Sequence, residues 1–194
     1  MTRPKSDYHD VRDVGVDADK RARLYEAQTE CCLVWSTRDC WPVGVMQRFV
    51  WRHERFWVTC TAERKRVTAL RNRPQSSVIV SSEGTWLGGD ITTTAKTLAT
   101  VHDDAATRAW FYPALAARLR RGDDDRAQAA RTEFLRRLDT PTRVVIELAP
   151  VAWITYDGNR LEASLRRMEY GPMLAKHSRN LTEAPEGITM EYFS

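Results

Sequence analysis

The stretch Thr59-Cys60-Thr61-Ala62-Glu63-Arg64-Lys65-Arg66 sets three adjacent cations directly after a segment with hydroxyls at alternate positions. A phosphate dianion calls for this combination: Arg and Lys neutralise charge and donate hydrogen bonds, while hydroxyls and free helix N-terminal amides supply the remaining donors. Cations at a helix start oppose its dipole, so they need another reason to be there. The plain alternative is a solvated basic helix start, and composition by itself favours it. The chemistry in view is the grip of a small phosphorylated ligand.

Other chemistries find less footing. His9, His53, His102 and His177 share no strand or helix face, so a metal site is not expected, and no histidine is placed beside a serine as a hydrolase triad requires. Cys31, Cys32, Cys40 and Cys60 lack a CxxC pair and read as free thiols. Among the tryptophans, Trp57 shares a face with Thr59 and Thr61 and is the one best placed to touch a flat ligand; core packing is the ordinary role of the others. The arginines from Arg118 to Arg137 alternate with acids and small residues and read as a solvated face rather than a nucleic-acid surface.

These residues must be positioned by a mostly β framework. An amphipathic helix over 17–28 precedes a strand at Cys31–Ser36, and a run from Pro42 to Trp51 follows, with Val43, Val45, Gln47, Phe49 and Trp51 on one face. Arg52-His53-Glu54 turns the chain into a third strand at Phe56–Thr61. The segment 62–72 is a short helix ended before Pro74, and strands are expected at 75–81 and 91–102. Asp103-Asp104 caps a helix over 105–119 that breaks or restarts at Pro113, and a second helix spans 124–138. The last strand, 143–148 and 151–156, is interrupted at Pro150 by an edge or bulge, and beyond Gly158 periodicity fades into a surface tail. The expectation is a mainly β (α+β) fold, an antiparallel split β-barrel with peripheral helices. Its expected limits are a flexible N-terminus over 1–16, the barrel domain over 17–157 and a C-terminal extension over 158–194.

With 42% hydrophobic and 29% charged residues, the sequence sits among ordinary globular chains and away from disordered or membrane classes. A net charge of +4 is too mild for a nucleic-acid signature but compatible with small anionic ligands. No apolar run follows the charged N-terminus, so a cytoplasmic location without membrane attachment is expected.

The stretch from Cys31 to Ser82 resembles the core of the pyridoxamine 5′-phosphate oxidase-like family of flavin-binding split barrels. The matching pattern is Trp41-Pro42-Val43-Gly44-Val45, then Trp57-Val58-Thr59-Cys60-Thr61, then Arg64-Lys65-Arg66 and Leu70-Arg71-Asn72-Arg73-Pro74. A weaker match runs through Thr94 to Tyr112. The resemblance implies a homodimer with a cofactor site at the subunit interface and a small-molecule substrate. It casts Arg66 as the phosphate ligand, with Lys65 and Arg64 as basic neighbours. Thr59, Cys60 and Thr61 would line the phosphate and ribityl chain, and the backbone of Val45, Met46 and Gln47 would lie along the ring. FMN is the default cofactor, and the deazaflavin coenzyme F-420 is the alternative. The implied activity is flavin-dependent oxidoreduction, and the alternative is a non-catalytic flavin or haem binding protein. The family often has Asn where Ala69 stands and Gly where Thr97 stands. Asn159-Arg160-Leu161-Glu162 lacks the proline of the vitamin B6 oxidases' substrate motif, so that reaction is not expected.

Overall fold

Period-two alternation of apolar and polar residues becomes seven antiparallel strands in the computed structural model, which describes residues 14–88, 90–120 and 122–167. The elements are α1 Ala18–Ala27, β1 Glu30–Ser36, β2 Pro42–Arg48, β3 Val50–Arg52, β4 Arg55–Thr61, α2 Lys65–Asn72, β5 Gln75–Ser81, β6 Ile91–His102, α3 Ala105–Leu119, α4 Asp125–Leu138, β7 Arg143–Asp157 and α5 Gly158–Arg167. The sheet order is β2-β1-β5-β6-β7-β4-β3. This is the mainly β split barrel with peripheral helices expected from the sequence.

The run expected as one second strand is divided at Phe49. Before it, β2 pairs with β1; after it, β3 pairs with β4 at the opposite edge of the sheet. One short piece of chain thereby joins the two edges and curls the sheet into a barrel. Phe49 is fully buried at that corner, where its amide bonds the Thr29 carbonyl at 3.3 Å. The following hairpin turn holds His53 and Glu54 at φ of 52° and 57°, the left-handed pair that matches strand twist in a tight hairpin.

Inward-facing residues of every long strand, among them Leu33, Val58, Val78, Ala95 and Ile146, form the main core. Each fully buried large apolar side chain stabilises the fold by about 1.5–3 kcal/mol. On the outer face, the hairpin of α3 and α4 covers β3, β4 and the start of β7, making a second core from Val50, Trp57, Phe111, Tyr112, Leu115, Leu138 and Val145.

Three expectations change. Helix α3 runs unbroken through Pro113. Pro113 and Ala109, four residues before it, lie on the exposed side, so the carbonyl that the proline leaves unbonded is not sealed in the core, while Phe111, Tyr112, Leu115 and Ala116 anchor the buried side. Strand β7 is continuous instead of interrupted, while the bulge expected at Pro150 is present: Lys96 faces Ala152 but Thr97 faces Pro150, so Val151 is the extra residue and the missing proline donor falls at the irregularity. Residues 158–167 are helical instead of aperiodic, with the amide of Gly158 bonded to the Asp90 carbonyl at 2.7 Å. The chain joins the barrel body before residue 17: Val14 and Val16 are buried, and the Val14 carbonyl accepts from the amide of Asp157 at 2.8 Å. The rest of the expected N-terminal segment and C-terminal extension, residues 1–13 and 168–194, lies outside the described residues.

Candidate functional site

A cavity of about 540 Å³ opens where β2 and β4 meet the α3–α4 hairpin. Met46, Gln47 and Arg48 of β2 and Thr59 of β4 form one side; Leu115, Leu119, Phe134 and Leu138 of the hairpin form an apolar wall, and Arg143 opens β7 beside it. The volume falls within the range of small-molecule and cofactor pockets. Because β2 is an edge strand, half of its backbone donors and acceptors have no ladder partner. Of the three cations lining the groove, Arg48 pairs with Glu30 at 3.0 Å and Arg137 with Glu133 at 2.6 Å, while Arg143 has no ion-pair partner among the described residues.

Of the nine residues expected at the site, the structure gathers Met46, Gln47 and Thr59 into this groove. The Thr59 hydroxyl donates to the Val144 carbonyl at 2.7 Å, so its proton is already committed within the sheet. Cys60 is buried in the main core, which removes its side chain from any phosphate; alternation along β4 puts Thr61 back on the outer face. Val45 also packs against the core, leaving only its backbone for a ligand. Trp57 is 7% exposed beneath α3, donates its indole N–H to the Arg52 carbonyl at 3.1 Å and meets Trp110 edge-on at 4.8 Å; it packs the second core and offers no free ring face.

The basic cluster starts α2 as expected but fans apart. Arg64 occupies the N-cap without a side-chain capping bond, consistent with a residue that has no acceptor to offer the helix amides. Lys65 is exposed and lines a different cavity, of about 590 Å³, with Trp35, Arg38 and Arg73. Arg66 is half-buried, and its Nε is sealed from solvent without a hydrogen-bond partner. None of these three cations has an ion-pair partner among the described residues, whereas Arg71, one turn on, pairs with Asp103 at 3.7 Å. A buried guanidinium nitrogen with an open donor, preceded in the chain by two unpaired cations, fits the phosphate of a mononucleotide cofactor.

Sequence reasoning missed Arg143. The β4–β7 register sets it directly across from Thr61, on the same face of the sheet and next to the start of α2. An arginine opening a strand after Thr-Pro-Thr gives no local signal, because its importance comes from a pairing more than eighty positions away. The histidine survey also missed the tie that holds the end of β6: His102 Nε2 lies 2.8 Å from Glu147, whose other oxygen takes Arg55 at 2.6 Å. Among the described residues no cluster of metal-ligating side chains exists, and all four cysteines are free; burial pushes the Cys31 thiol up to about 12.

No protein-family model and no curated protein sequence matches the chain. Solved structures do. A conserved hypothetical protein of Mycobacterium tuberculosis is similar at 12% identity, covering 78% of this chain and 91% of its own, with a TM-score of 0.65. A candidate pyridoxamine 5′-phosphate oxidase of Listeria innocua is similar at 16% identity, over 71% and 95% of the two chains, with a TM-score of 0.54. A FAD-binding protein of Mesorhizobium loti is similar at 14% identity, over 72% and 94%, with a TM-score of 0.52. Likeness spanning nearly the whole of each neighbour, at identities this low, is likeness of fold: the chain folds as a split β-barrel, as these proteins do.

Proposed function

We propose that this protein is a flavin-dependent oxidoreductase of the split-barrel type, holding FMN with the phosphate on Arg66 and the ring along the open edge of β2. The observation that carries this reading is the buried, unpartnered Nε of Arg66, which follows two other unpaired cations in the chain. When bound, the flavin would supply the hydride or electron transfer. The chain's part is to bind and orient: Arg66, with Arg64 and Lys65 beside it, neutralises the phosphate, Thr61 lines the approach to it, and the backbone of Val45, Met46 and Gln47 meets the polar rim of the ring. The apolar wall of the α3–α4 hairpin keeps water from the other side of the groove.

The same reading makes the protein a homodimer. Register places Met46, Cys32, Ile79, Thr94 and Ile154 in one row across the outer face of five strands, and Met46 and Ile154 are 60% and 61% exposed. Met46 belongs both to this row and to the groove, so a second copy seated on the row would also close the cofactor site. Four free cysteines suit a reducing, cytoplasmic setting; among the described residues no helix is long and apolar enough to cross a membrane.

Reconstitution with FMN tests the assignment. Arg66→Ala should weaken FMN binding at least tenfold, since a hydrogen bond to a charged group contributes about 1.5–3 kcal/mol. Unchanged affinity would remove Arg66 from the site. The absorbance of the purified protein separates FMN from deazaflavin or haem, and turnover with reduced cofactor separates an enzyme from a carrier.

A further inference from the structure

The cavity that Lys65 lines, of about 590 Å³, lies between α2 and the turn joining β1 to β2, away from the groove. Lys65, Thr68, Ala69 and Asn72 reach it from positions i, i+3, i+4 and i+7 of α2, which share one face of a helix. Arg66 falls on the neighbouring face and is not among the lining residues, so the cavity is distinct from the grip assigned to the cofactor phosphate. The end of β1 contributes Trp35, and the turn contributes Arg38. Arg73, just past α2, ties these sides together: one terminal nitrogen of its guanidinium donates to the Ser36 carbonyl at 3.3 Å, while its Nε is buried without a hydrogen-bond partner. Arg38, Lys65 and Arg73 thus line one volume in which Glu63 is the sole acid, and none of the three cations has an ion-pair partner among the described residues. Like charges gathered in a cleft concentrate counter-ions there, so the arrangement calls for an anion. Its guanidinium, ammonium, hydroxyl and amide donors come from a helix and a turn, which suits a tetrahedral phosphate better than a planar carboxylate. The volume exceeds what a phosphate needs, and Trp35 and Ala69 supply apolar surface for an organic body.

We propose that this cavity binds a small organic phosphate monoester, with Arg38, Lys65 and Arg73 on the phosphate and Trp35 and Ala69 against the body. The site stands independently of the flavin reading. Lys65 is common to both, so the test turns on Arg38 and Arg73, which the cofactor assignment leaves out.

Calorimetric titration of the full chain with phenyl phosphate, and with phenyl sulfate as its singly charged counterpart, tests this with and without saturating FMN. Phenyl phosphate should bind more tightly than the sulfate, and equally well in both states of the protein. Arg73→Gln should weaken phenyl phosphate at least tenfold, and Arg38→Gln about threefold to tenfold, with FMN affinity unchanged in both. Arg38 is exposed, so Arg38→Gln decides the matter even if Arg73→Gln, which alters the tie to Ser36, fails to fold. Equal phenyl phosphate affinity in wild type and Arg38→Gln would overturn the assignment, and so would displacement by FMN, which would make the cavity the flavin's own phosphate site. Arg38-dependent binding of phenyl phosphate in a protein that takes up no FMN would keep this site and sink the flavin reading, whereas FMN uptake without phenyl phosphate binding would do the reverse.

Discussion

Tyr25 and Tyr112 are both buried, one inside the barrel and one outside it beneath the α3–α4 hairpin, and their hydroxyls fare differently. Tyr25 sits among Phe49, Trp51, Phe56 and Trp153, with ring centroids 4.7–6.4 Å away, and its hydroxyl donates to Thr93 at 2.9 Å. Tyr112 packs into the second core with Phe111 and Leu138, yet its hydroxyl has no hydrogen-bond partner among the described residues. Around Tyr25, the ring is enclosed by aromatic neighbours and the hydroxyl is bonded. Around Tyr112, on the outer face, the ring is packed and the hydroxyl is not bonded. The groove between β2, β4 and the α3–α4 hairpin lies on that outer face, and the packed interior is the rigid support that holds β2, β4 and β7 in place.

Substitutions inside and outside the barrel test this contrast, and the largest effect is expected inside. Phe56→Ala removes a fully buried ring that touches Tyr25, Phe49 and Trp51, and should cost about 3–5 kcal/mol in chemical denaturation. On the bare outer half, Ile154→Asp should leave the monomer folded and raise the dimer dissociation constant on the order of 100-fold, because a symmetric interface would bury the new carboxylate twice. Sedimentation reads that directly, and alkylation of Cys32, in the same row, should become faster in the variant. Unaltered association would mean that the row is not the interface. The tyrosines give the sharpest pair: Tyr25→Phe strands the Thr93 hydroxyl and should cost about 1–3 kcal/mol, whereas Tyr112→Phe deletes a donor that bonds nothing and should change stability by no more than roughly 0.5 kcal/mol. Similar losses for both would show that the outer hydroxyl is satisfied after all.

The inner face was the more legible of the two. Alternation in Cys31–Ser36, Phe56–Thr61 and Gln75–Ser81 reads directly as strands with one buried face, because burial imposes that period. Pro113 misled because the cost of a helical proline is local, while the buried Phe111, Tyr112 and Leu115 that hold α3 together act through tertiary packing. The division at Phe49 was hidden for a related reason: one apolar run serves two edges of the sheet, and the partner changes without any change in pattern. For the site, the unpaired state of Arg66 and its neighbours bears on the phosphate reading, whereas Cys60 and Trp57 turned inward or under the roof. Arg143 reaches the groove through the β4–β7 register, which is a relation between distant segments that periodicity does not encode.

The smallest expected effect lies on the solvent side of the roof. Hydrogen bonds from Arg136, then Arg137, lower the Glu133 carboxyl from the usual 4.5 to about 2. A lowered folded-state pKa means that the unfolded chain takes up a proton first as pH falls. The stabilisation by this cluster is therefore complete above about pH 4.5 and disappears as pH drops toward about 2. Glu133→Gln should lower Tm slightly at pH 7, less so in high salt, and the difference from wild type should close by pH 2. Tyr25→Phe, acting through a neutral hydrogen bond inside the barrel, should keep its own Tm difference across the same range. A Glu133→Gln difference that persisted at pH 2 would assign the effect to helix propensity, leaving the roof with no electrostatic fastening on its outer side.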